Sequence, residues 1–203
     1  MFVFAHTGIT LGIAMFFNLL PNDKQMVTKS EFSDDQTSIP QKSGLKSTVI
    51  SGWINLAKRI DIRILFIGSL LPDIIDKPIG ITLLSNGRVF SHTLLFLLIL
   101  LFGGLFLYFI KKRNWLLLIS YGVFTHLLFD AMWQTPKTLF WPLFGLTFDR
   151  MDTSYWIPDM LRALIANPVV IVPELVGLII ILWFGLVLIQ RNTVSSFLKY
   201  GRL

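Results

Sequence analysis

Apolar residues along this chain come in long unbroken runs separated by short polar patches. The run 2–20 carries His6 as its only ionisable side chain, and 169–190 carries only Glu174. Neither 93–110 nor 115–129 contains an Asp, Glu, Lys or Arg. Such runs match the roughly 20 residues that cross a bilayer core as helix. They predict spans at about 2–20, 62–84, 93–110, 115–133 and 169–190. The second span is expected to be broken, because Gly68, Pro72, Pro78 and Gly80 interrupt it, and proline removes a donor and disfavours helix before it. Broken backbone at membrane depth is tolerated where it lines a polar cavity or is buried in protein.

The pattern therefore predicts an all-α, polytopic helical bundle of about five spans, with residues 1–203 forming a single integral membrane domain. Between the first two spans lies a polar stretch with almost no apolar periodicity, so 21–61 is expected to be a flexible loop. The segment 134–168 reads as a loop with interfacial pieces, Trp133, Trp141, Tyr155 and Trp156 sitting at headgroup level. The first run has no basic residue ahead of Lys24 and no small-residue cleavage site after it, which predicts a retained helix.

Composition agrees: 54% of the 203 residues are hydrophobic, and the mean hydropathy is +0.67. The net charge of +6 reflects loops between spans and not a basic face for nucleic acid. Lys111, Lys112 and Arg113 place the loop after span three in the cytoplasm. Alternation then puts the 21–61 loop and the tail with Arg191, Lys199 and Arg202 on the same side. Lys77, Arg88, Lys137, Arg150 and Arg162 are the basic residues left for the outer side. The expected location is the inner membrane of a prokaryotic-type cell.

That topology brings the polar patches to one level. His6, Asp73, Asp76, His92, His126, Asp130 and Glu174 all fall at the outer ends of their spans. An Asp at the centre of a spanning helix costs about 2.5–3.5 kcal/mol, and buried ionisable groups in membranes mark function. Lys77 is the one lysine near Asp73 and Asp76, so a salt bridge cannot neutralise the set, whereas a divalent cation can. With no cysteine, imidazole and carboxylate are the available ligands. His126 and Asp130 lie four apart on one helix face; they can ligate one ion together, or the carboxylate can orient the imidazole. A buried hydrogen-bonded pair is the bland alternative. Asp73 and Asp76 can bind or bridge ions, or instead serve as a helix-start cap and an ion pair with Lys77.

The segments HTGIT, GSLLPDIIDKP, GRVFSHTLLF and YGVFTHLLFDAMWQTPKTLFWP resemble the YdjM-type family of membrane-bound metal-dependent hydrolases. That family in turn looks distantly like the zinc-dependent phospholipase C and single-strand nuclease group. The resemblance implies His6, Asp73, His92, His126 and Asp130 as metal ligands, with Asp76 close by. Zinc would be the ion, activating water for attack on a phosphoester. Where the family often shows His-Arg-Gly, this chain has Gly87, Arg88 and Val89. Arg88 is the expected stabiliser of phosphoryl charge, and Asp76 or Glu174 the expected general base. A site at the outer headgroup level fits a lipid or lipid-linked phosphate substrate. The alternatives are a proton- or ion-coupled transporter and a structural protein whose metal ties helices together. Oligomeric state is not legible.

Overall fold

The structure is a computed structural model that describes residues 3–19, 61–84, 86–150 and 155–201. The expected flexible loop, apart from Asp61 at its end, lies outside the described residues. All regular structure among the described residues is helical. The long helices are α1 (Val3–Leu19), α2 (Ile62–Ile79), α3 (Leu94–Lys111) and α4 (Trp115–Phe129). After a short α5 (Pro136–Leu139) come α6 (Trp156–Ala166), α7 (Pro168–Gln190) and α8 (Val194–Tyr200).

Local chemistry sets the boundaries. Thr93 caps α3 by accepting the Phe96 amide at 3.1 Å, and Lys112 closes it in the left-handed conformation at φ 53°. Asn167 accepts the Val169 amide at 3.0 Å ahead of Pro168, which sits in the first turn of α7. One expectation is corrected. α2 runs without interruption through Pro72 and Pro78 and continues into a π-helical turn, Gly80–Leu84. Pro72 is buried against protein, where a lost helix bond is tolerated, and Ser91 Oγ donates to its carbonyl at 2.9 Å.

Two glycine pairs let the helices approach closely. A Cβ on Gly122 of α4 would lie 2.6 Å from Gly68 C and Ser69 N of α2. One on Gly8 of α1 would collide with the Gly177 backbone of α7. Small residues at such crossings are how helices pack where lipid offers no hydrophobic drive. α1 and α7 run parallel, as do α2 and α4, and α3 is antiparallel to α4. The N-terminal ends of α1, α3 and α7 thus meet the C-terminal ends of α2 and α4. At the opposite end Leu11, Met15, Ile62, Phe184 and Leu188 form an apolar cluster. There the Ile62 amide donates to the Gly201 carbonyl at 2.9 Å, so the start of α2 and the C-terminal tail share one side.

One end of the bundle interior is polar, while the exterior is apolar. His6, Ser69, Ser91, His92, Thr93 and His126 are all fully buried. Phe102, Phe106, Phe109, Ile179 and Ile189 are each more than 60% exposed. In water that surface would cost about 25 cal/mol for every Å². α3 and α7 are long and apolar enough to cross a membrane, and only 11% and 17% of those stretches is buried, unlike the core helix of a soluble protein. α1 and α4 are apolar but shorter.

Candidate metal centre

Five of the residues singled out from the sequence converge at the polar end. The donor atoms of His6, Asp73 and His126 lie within 4.8 Å of one another, and so do those of His92, His126 and Asp130. His6 arrives one turn into α1, Asp73 from the last third of α2, His92 from a 3₁₀ turn ahead of α3, and His126 and Asp130 from the end of α4. The rings of His6 and His126 stack with centroids 4.1 Å apart.

Hydrogen bonds fix which nitrogens face inward. His126 Nδ1 lies 2.7 Å from the Ser69 carbonyl. A carbonyl only accepts, so Nδ1 carries the proton and Nε2 presents a lone pair. The Gly68–Gly122 approach makes this contact possible, since it brings the α2 backbone to the α4 side chain. His92 Nδ1 likewise lies 2.8 Å from Asp76 Oδ2, which leaves its Nε2 facing inward too. These two Nε2 atoms stand 3.2 Å apart. At that distance either a proton on one nitrogen is donated to the other or a metal cation accepts both lone pairs. His6 adds a third imidazole: neither of its nitrogens has a hydrogen-bond partner, although Nε2 is 3.2 Å from Asp130 Oδ1.

Donor spacing tests whether a cation fits. Ligands about 2.0–2.2 Å from a tetrahedral zinc-sized ion sit about 3.3–3.6 Å from each other. His92 Nε2 is 3.6 Å from Asp73 Oδ1 and 3.9 Å from Asp130 Oδ2, and His126 Nε2 is 3.9 Å from Asp73 Oδ1. The buried His/Asp set can hold a metal ion.

Asp76 and Glu174 are placed differently from the ligands. Besides His92 Nδ1, Asp76 accepts the amides of Val89 at 2.6 Å, Ser91 at 3.1 Å and His92 at 3.2 Å. It thereby folds the loop that presents His92. Glu174 accepts the Phe4 and Ala5 amides at 3.1 and 3.3 Å, holding the first turn of α1 on α7. Arg88 meets Asp130 Oδ2 at 3.0 Å. Lys77 pairs with Asp73 at 2.7 Å, not with Asp76. Both cations are partly exposed at the mouth of the cluster. Lys77 was visible only as a neutralising neighbour; its spacing of four from Asp73 was the available signal. The role of the Ser69 carbonyl had none, because it depends on a helix crossing. Of the other cations expected on that side, Lys137 pairs with Asp149 and Arg162 with Asp159 3.9 Å away.

An apolar exterior around a buried histidine–aspartate cluster defines a membrane protein with a candidate metal-binding interior. More particularly, the chain belongs to the YdjM inner membrane protein family, whose model matches residues 43–194, and its location is the inner membrane. The match begins after α1, so it does not cover His6, which the geometry brings to the site. No curated protein and no solved structure matches the chain.

Proposed function

We propose that this protein is a metal-dependent hydrolase acting on a phosphoester of a lipid or lipid-linked substrate at the outer face of the inner membrane. The observation that carries the reading is the convergence of three imidazoles and two carboxylates in a buried site, with His92 Nε2 and His126 Nε2 3.2 Å apart. His6, Asp73, His92, His126 and Asp130 would hold a divalent ion. Their nitrogen and oxygen donors suit zinc. A bound ion of this kind polarises phosphoryl oxygen and lowers the pKa of water.

The chain's own residues do the rest. Arg88 and Lys77, at the mouth, attract the phosphate and balance charge on its oxygens. Asp76 keeps His92 in the tautomer that offers Nε2, and Glu174 fixes the helix start that carries His6. We assign both acids these positioning roles in place of general-base catalysis.

Five spans are proposed: α1, α2, α3, α4 and α7. The lysine-rich 111–113 turn would then face the cytoplasm and the cluster the outside. A site at one end of the bundle favours chemistry on a headgroup over transport through the midplane. α6 is amphipathic, with Ile157, Leu161, Leu164 and Ile165 exposed on one side, as in helices that lie in the interface. Through Leu164 it walls a largely apolar groove of about 560 Å³, lined also by Val3, Phe4, Ile171, Glu174, Leu175 and Leu178. That groove is beside the first turn of α1 and suits an acyl chain. The test is hydrolysis of phospholipid vesicles and of a soluble phosphodiester by purified protein, against His126→Ala and Asp73→Ala. Cleavage by wild type, lost with the metal in both variants, is expected. Wild type that binds metal and cleaves neither substrate overturns the hydrolase reading.

A further inference from the structure

The two groups of donors share an atom. Both need His126, and with Nδ1 committed to the Ser69 carbonyl at 2.7 Å it has one lone pair to give. His92 is limited in the same way by Asp76. Asp76 itself accepts four N–H bonds, so it is no bridging ligand. In sites with two ions, carboxylates bridge, each oxygen taking a different ion. Here Asp73 turns Oδ1 toward the imidazoles of His92 and His126 while Oδ2 takes Lys77 at 2.7 Å. Asp130 turns Oδ1 toward His6, and its Oδ2 takes Arg88 at 3.0 Å. In both acids an oxygen that could bridge to a second ion is held by a side-chain cation.

We infer that the centre binds one divalent ion per chain, with Lys77 and Arg88 standing where further ions would bind in a multinuclear site. The inference rests on reading the cluster as a metal centre. It makes the two cations, rather than a second metal, the groups that meet the anionic oxygens of the substrate.

The experiment is a Co²⁺ titration of chelator-stripped full-length protein in detergent, read by visible absorption and checked by elemental analysis. A single break at one ion per chain is expected. Lys77→Gln and Arg88→Gln should keep that one ion, because neither residue is a ligand. A break at two or more ions overturns the single-ion inference and leaves the metal centre standing. Loss of the ion in either Gln variant also overturns it, since the cation would then be needed to build the site. Failure of wild type to bind any ion would instead remove the metal centre itself.

Discussion

Asp76→Asn separates a residue that positions a ligand from one that binds the ion. The carboxylate accepts His92 Nδ1 at 2.8 Å and three loop amides, with Oδ2 taking three of the four bonds. Asparagine can place its carbonyl where Oδ2 stands, but its amino group then faces the Ser91 N–H, donor against donor. Hydrogen bonds to a charged acceptor contribute about 1.5–3 kcal/mol and neutral ones about 1 kcal/mol. The anchor on His92 therefore weakens by about 0.5–2 kcal/mol. Losing a partner that orients a ligating histidine lowers affinity about 10–100-fold, which is about 1.4–2.7 kcal/mol, in line with that figure. Chelator-competition titration of the detergent-solubilised variant is the assay. Affinity should fall 10–100-fold while the number of ions bound stays at the wild-type value. An affinity within threefold of wild type would refute the assignment of Asp76 to His92.

Other outcomes follow from the same geometry. Gly122→Ala places a methyl 2.6 Å from the Gly68 and Ser69 backbone, so α2 and α4 must part; a lower melting temperature with weakened metal binding is expected, and an unchanged pair of values would contradict the crossing as drawn. Asp61, outside the spans, accepts the Arg63 side chain, and that bond holds its carboxyl below the ordinary value of 3.8. A depressed folded pKa gives stability that is present above the unfolded value and lost as pH falls through the folded one. Asp61→Asn should therefore lower the melting temperature at pH 6, with the difference shrinking below about pH 3.8; a gap that stays constant to pH 2.5 counts against it. A C-terminal tag should resist external protease in intact cells, and digestion there would reverse the orientation.

Most of the helices were legible because uncharged runs have few other uses. The starts of α2, α3 and α7 fall within one residue of the edges of their runs. Convergence of His6, Asp73, His92, His126 and Asp130 was legible for a related reason: His6 and His92 sit at N-terminal helix ends and Asp73, His126 and Asp130 toward C-terminal ends, and alternation of the helices brings those ends together. Other features depended on contacts between distant segments. Pro72 signalled a break, yet α2 runs through it where it is buried against protein. Asp76 looked like an ion-binding residue, a partner for Lys77 or a general base because nothing in the local sequence says that residues 89–92 will fold their amides onto it. Glu174 looked interfacial, and its partners lie 169 and 170 residues away. The glycines that set the α2–α4 spacing gave no signal beyond their size.

The central claim is that the buried cluster exists to hold a divalent cation. Elemental analysis of protein purified without added chelator, alongside His126→Ala, tests it most directly. Stoichiometric zinc or another divalent metal in the wild type, absent from the folded variant, is the predicted result. Metal-free wild type that also takes up none on reconstitution, or equal metal in both proteins, would contradict it.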